Sequence, residues 1–134
     1  MLMRQLKNIS NSPFNSDAAI ILEIRSLFPN FDEPLQKLIA GMAGCSPFLH
    51  DLVKKEVNWI KKVLKSGSSP EETITNEVLQ SSNISKSLRV AKARISLWTA
   101  LQDLSGNWKL EEVSKCLSEF ADFSVKIALK YSIE

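Results

Sequence analysis

The strongest constraint on the fold is the stretch from Leu88 to Leu129, where apolar residues recur at intervals of three and four through two successive blocks. In the first block Leu88, Ala91, Ile95, Trp98, Leu101 and Leu104 fall on one stripe of an α-helix, with Arg89, Lys92, Ser96, Thr99 and Gln102 on or near the opposite face. The second block repeats the spacing through Leu110, Val113, Leu117, Phe120, Ser124, Ile127 and Tyr131, and Ala121 and Ala128 widen the stripe. Between them stands Ser105-Gly106-Asn107-Trp108. Gly106 can take the left-handed conformation that stops a helix, so the two blocks are expected to double back as an antiparallel helical hairpin over residues 85–132. Glu111 and Glu112 then lie in the first turn of the second helix, where they complement its dipole.

Upstream, helix punctuation is equally regular. Residues 1–16 are rich in Asn and Ser and read as an irregular lead-in, after which Asp17 caps a short helix that Pro29 ends. Asp32 to Met42 forms the next helix, with Pro34 in its first turn and Leu35, Leu38, Ile39 and Met42 facing inward. Ser46 followed by Pro47 starts another, which runs as one helix or a bent pair to about Lys65 through Phe48, Leu49, Leu52, Val53, Val57, Ile60 and Leu64. After the Ser66-Gly67-Ser68-Ser69 break, Ser69 and Glu72 form a capping box for a helix carrying Ile74, Val78 and Leu79, and Ser85 caps the hairpin. No stretch alternates with the period of a strand. The expected class is therefore all-α: a compact bundle of about five or six helices ending in the long hairpin, as one helical domain spanning residues 1–134.

Two phrases in this chain resemble a known family in order and spacing. Leu38 to Leu52, LIAGMAGCSPFLHDL, places Ser46, Pro47, Phe48 and Leu49 after a small-residue turn. The later phrase runs from Leu88-Arg89 and further basic residues through Asp103-Leu104, the Gly-containing turn, Leu110-Glu111-Glu112-Val113 and Phe120-Ala121-Asp122. Together, over roughly Phe31 to Leu129, they resemble the segment that precedes the first catalytic domain of bifunctional glutamine synthetase adenylyltransferase/adenylyl-removing enzymes. The resemblance implies an enzyme that transfers AMP from ATP to a tyrosine of glutamine synthetase and removes it by phosphorolysis, under a nitrogen-signalling regulatory protein. It also implies that Mg²⁺ and ATP are held in separate nucleotidyltransferase domains by a Gly-Gly motif and a Ser-Asp-x-Asp pattern. Nucleotidyl transfer depends on metal-held charge neutralisation and positioning, and no such motif occurs before Glu134. The expectation is thus an N-terminal, non-catalytic helical segment, inactive alone, with no catalytic, cofactor-binding or metal residues of its own. Its neighbours would be the catalytic domain, glutamine synthetase and the regulatory protein. In the family an Arg-rich helix lies beside the catalytic domain, which makes Lys86, Arg89, Lys92 and Arg94 candidates for an interdomain or partner contact.

The remaining residues narrow the alternatives. With 44% hydrophobic residues the chain has material for a core, and no run approaches the roughly 20 apolar residues that span a bilayer. The N-terminus lacks the apolar core of a secretory signal, so a cytoplasmic location is expected. Cys45 and Cys116 match no zinc or redox spacing and read as reduced thiols in packing roles, and His50, beside Asp51, reads as a helix-surface histidine. Lys54, Lys55, Lys61, Lys62 and Lys65 cluster around Trp59, but a formal net charge of +2 falls far short of a strongly basic nucleic-acid module. Trp98 and Trp108 are assigned to core and turn packing. The alternative to an enzyme segment is a free-standing helical interaction or adaptor module. Apolar surface left uncovered on the hairpin helices would favour a homodimer or another partner.

Overall fold

The computed structural model describes residues 17–66 and 70–133, and among these it shows seven helices and no strand. They are α1 (Ala18–Leu27), α2 (Glu33–Cys45), α3 (Pro47–Lys55), α4 (Val57–Ser66), α5 (Pro70–Leu79), α6 (Ile84–Leu104) and α7 (Leu110–Ile133). The all-α class follows from the sequence periodicity. The helix count exceeds the expected five or six because the stretch after Pro47 is a broken pair: Glu56 leaves the helical region at φ −111°, ψ 26° and separates α3 from α4.

Most boundaries are set by single side chains. The Asp17 carboxylate accepts from the amides of Ala19 and Ile20 at 3.0 and 3.3 Å, and Ser46 Oγ accepts from Leu49 N at 3.0 Å, each satisfying helix amides that have no partner within the helix. Asp32 does the same for Leu35 N at 3.4 Å, with Pro34 in the first turn. The start of α6 corrects the sequence reading. Asn83, not Ser85, is the cap, its Oδ1 accepting from Lys86 N at 3.2 Å. Ser81, which bonds the Ser87 hydroxyl and the Asn83 amide, folds the preceding turn so that Asn83 reaches the helix end first. The proposed cap at Ser69 and the lead-in 1–16 lie outside the described residues. At the end of α6, Gly106 adopts φ 82°, and the amides of Gly106 and Asn107 bond back to the carbonyls of Asp103 and Gln102 at 3.1 Å each, a Schellman closure that only a residue without a Cβ takes at low cost. Glu112 then reaches back to Lys109 N at 3.2 Å to start α7.

One contiguous apolar core runs from Ile24 and Phe28 through α2, α3, α4 and α5 to Ile95, Leu97, Trp98 and Leu101. α2 and α6 lie at its centre. α2 packs on α1, α3 and α6, and its run Leu38 to Ala43 is buried almost all round, with Ala40, Gly41 and Ala43 small enough to let neighbours approach. α6 is packed by α2, α3, α5 and α7, which explains why Thr99 and Gln102, assigned by periodicity to its outer face, are instead buried. Thr99 spends its hydroxyl on the Ile95 carbonyl at 2.8 Å, as a buried hydroxyl must.

α7 departs furthest from the reading of a single inward stripe. Its main neighbour is α6, so only one side is covered. Cys116, Phe120, Phe123 and Ile127 pack on the core, with Ile127 alone among them classed as buried. Leu110, Leu117 and Tyr131 face outward at 78%, 44% and 41% exposure. The predicted stripe therefore straddles a covered and an uncovered face, and the reading missed Phe123 as an inward residue.

Candidate functional site

The four basic residues proposed as a contact surface do not act together. At 3.6 residues per turn, two positions along a helix are separated by about 160°, so Lys92 and Arg94 point to opposite sides. Lys86, Arg89 and Lys92 are exposed and form one outward ridge on α6. Arg94 instead occupies the apolar stripe, three residues after Ala91 and four before Trp98, and turns into the molecule. Its Nε and Nη2 donate to Glu56 at 2.9 and 3.4 Å, and its Nη1 donates to Glu77 at 3.1 Å. The guanidinium lies over the Trp59 ring at 5.6 Å. One side chain thus ties together the α3–α4 break, α4, α5 and α6. Glu56 and Glu77 were not singled out by sequence; the usable signal was the helical spacing that puts Arg94 between two core residues.

The other partly buried polar groups are spent in the same way. Trp98 Nε1 donates to Glu71 at 2.7 Å, and the edge of Trp98 meets Trp108 at 6.4 Å with planes at 87°, linking α5, α6 and the turn. His50 bonds Glu23 across α3 and α1, so it is a bridging group and not a free surface histidine. Asp51 is held below the ordinary carboxylate range by the Lys55 ammonium one helical turn on. Among the described residues, no three His, Cys, Asp or Glu side chains are grouped so as to hold a metal ion.

A shallow groove of about 300 Å³ opens between α5, α6 and α7, lined by Glu71, Glu72, Thr75, Ile95, Cys116, Glu119 and Phe120. Burial, and then the nearby Glu71 and Glu119, push the Cys116 thiol up from 9.0 to about 11. That thiol is a poor nucleophile near neutrality, since the thiolate is the reactive form. Cys45 is free and exposed at the end of α2. In the lysine-rich segment Trp59 is buried beneath Arg94 and Lys61 lies over Phe28 at 5.8 Å, so the aromatic groups there are not presented for base stacking. The main exposed features outside the groove are the outward ridge of Lys86, Arg89 and Lys92 and the uncovered apolar face of α7.

Among the described residues, no helix is long and apolar enough to cross a membrane. No protein-family model matches the chain, and no solved structure gives a significant match. Curated sequences do match. The chain is 27% identical over 128 residues, 90% of its length, to a bifunctional glutamine synthetase adenylyltransferase/adenylyl-removing enzyme of Rhodopseudomonas palustris. It is 26% identical over 106 residues to the enzyme of the same name from a Bradyrhizobium species and 28% identical over 104 residues to that of Caulobacter vibrioides, 72% and 71% of its length. These alignments take in only 12%, 11% and 10% of the respective enzymes, so the chain is similar to a segment spanning about a tenth of the length of the relatives it matches.

Proposed function

We propose that this chain serves as a helical, non-catalytic platform within a glutamine synthetase-modifying nucleotidyltransferase, positioning catalytic domains that carry out AMP transfer to and removal from the synthetase. The observation that carries the reading is the continuity of the similarity: up to 90% of this chain aligns with a single segment of an enzyme whose name states both activities. The spending of its polar groups supports a positioning role. Arg94, Glu56, Glu77, Glu71, His50 and Glu23 tie helices to one another, and the carboxylates around the α5–α7 groove surround an apolar floor of Ile95 and Phe120. These residues do not fit a paired-carboxylate Mg²⁺–nucleotide site, so in this reading Mg²⁺ and ATP belong to other domains of the enzyme. Control by a nitrogen-signalling protein belongs to the same reading, as does a role for Lys86, Arg89 and Lys92 in contacting an acidic surface of the catalytic domain or the synthetase.

The test pairs an AMP-transfer and AMP-removal assay on glutamine synthetase, with Mg²⁺ and ATP or phosphate, with a binding measurement against the synthetase and against the nucleotidyltransferase domain of a relative. The expected result is no turnover by this chain alone, saturable binding to at least one of the two proteins, and weakening of that binding at raised salt or when Lys86, Arg89 and Lys92 are all changed to Glu. Turnover by the chain alone overturns the reading, as does absence of binding to both.

A further inference from the structure

The groove between α5, α6 and α7 combines an apolar floor with a rim of one charge. Ile95 of α6 and Phe120 and Cys116 of α7 make the floor. Glu71 and Glu72, in the first turn of α5, and Glu119 of α7 stand around it, and no residue lining the groove is basic. α5 itself carries no Lys or Arg over Pro70–Leu79. This groove is separate from the exposed apolar face of α7. At about 100° per residue, Glu119 lies about 160° around the helix from Leu117 and about 120° from Val125. Within the fold the rim charges are barely neutralised. Glu71 accepts the Trp98 Nε1–H at 2.7 Å, and a neutral donor leaves the carboxylate its charge. Glu119 meets Lys115 only at 3.9 Å with both side chains well exposed, a contact too solvated to cancel either charge. The Cys116 thiol registers the same field, because Glu71 and Glu119 add to the effect of burial in raising its pKa.

We infer that the groove seats a short basic, amphipathic helical segment of a partner protein, one apolar side chain entering over Ile95 and Phe120 and Lys or Arg side chains one turn away reaching Glu72 and Glu119. The size of the groove, about 300 Å³, suits an anchoring side chain and not a whole helix. Charge complementarity sets the rest of the segment. An acidic segment would bring like charges together at the rim, whereas a long basic side chain can lay its aliphatic stem along Phe120 and place its head against a carboxylate still open to water. Among the described residues the carboxylates are not grouped to hold one metal ion, so they suit separate cations carried on one chain. Thr75 adds no competing preference, since its hydroxyl is spent on the carbonyls of Glu71 and Glu72 at 3.3 and 2.9 Å. This partner is independent of the adenylyltransferase reading, which is tested at the basic ridge of α6.

The test selects binders from a randomised peptide library displayed on phage, with the whole chain as bait. The selected peptide, made synthetically, is then titrated into isotope-labelled chain while the indole N–H signal of Trp98 is followed by NMR, because that group bonds Glu71 at the rim. The selected sequences are expected to place Lys or Arg three or four positions from Leu, Met or Phe, and the Trp98 signal to shift saturably. Glu72→Gln together with Glu119→Gln should weaken binding about tenfold, and so should raised salt. Both residues are exposed, so the double variant should remain folded, as circular dichroism checks. A library that yields no binder, or only acidic or uncharged ones, overturns the proposal, as does a basic peptide whose affinity the double exchange leaves unchanged. A Trp98 signal that moves with chain concentration alone, marking a second copy in the groove, overturns it as well.

Discussion

Trp98 joins the local and the long-range parts of the fold, and its truncation offers the sharpest test of how they are connected. The side chain is 1% exposed, and a tryptophan buries 150 to 250 Å², worth about 4 to 6 kcal/mol at 25 cal/mol per Å² as an upper bound. The loss on Trp98→Ala should be about 3 to 5 kcal/mol, because neighbours relax only partly into the space left behind. Part of that loss is polar. The indole donates to Glu71 at 2.7 Å, and a carboxylate deprived of a donor costs about 1 to 3 kcal/mol, toward the lower end here because Glu71 keeps partial access to water. Trp98→Phe retains much of the ring while deleting the N–H, so it should cost about 1 to 2 kcal/mol, and a double-mutant cycle with Glu71→Gln should return a coupling of about 1 kcal/mol. Urea unfolding followed by circular dichroism measures all three, with an unchanged urea slope confirming that the folded state remains compact. In thermal unfolding Trp98→Ala should lower the midpoint by about 10 to 20 °C. A Trp98→Ala variant within about 1 kcal/mol of the parent would refute the packing of α6 against α5 and the turn described here.

Arg94 should behave as a structural residue: Arg94→Met leaves Glu56, 15% exposed, without its cation and should cost about 2 kcal/mol, while Arg94→Lys recovers less than half because an ammonium cannot fork between two carboxylates and stack on Trp59. Parent-like urea stability of Arg94→Met would contradict this. Asn83→Ala should cost about 1 kcal/mol and Ser85→Ala less than about 0.5 kcal/mol, and the reverse order would return the cap to Ser85. The Cys116 thiol, raised from 9.0 to about 11, should carry about a hundredfold less thiolate than an ordinary thiol at pH 8, so iodoacetamide should label Cys45 first, as peptide mass spectrometry would show; equal rates would refute its burial. The same shift fixes a sign in pH. Below pH 9 the thiol is neutral folded or unfolded, and between pH 9 and 11 the unfolded chain releases a proton that the folded chain keeps, so stability should fall across that window and Cys116→Ser should flatten the fall.

What the sequence determined by itself is what depends on residues within one helical turn of each other. Asp17, Asp32 and Ser46 cap amides two or three positions away, and Gly106 stops α6 through its own φ, so these boundaries are written in the local chain. The helical period likewise fixes the all-α class, and the similarity to the adenylyltransferases is a property of the sequence alone. Even the inward turn of Arg94 had a local trace in its place between Ala91 and Trp98, though a basic side chain on an apolar stripe does not say which carboxylates receive it. Only the tertiary structure decided what lies more than one turn away. It chose Glu56 and Glu77 as the partners of Arg94, surrounded α6 closely enough to bury Thr99 and Gln102, and covered one side of α7 while leaving Leu110 and Leu117 in water. The physical reason is that periodicity reports which residues share a face, whereas burial depends on whether a neighbouring element exists to cover it, and α7 has more apolar circumference than α6 alone can cover.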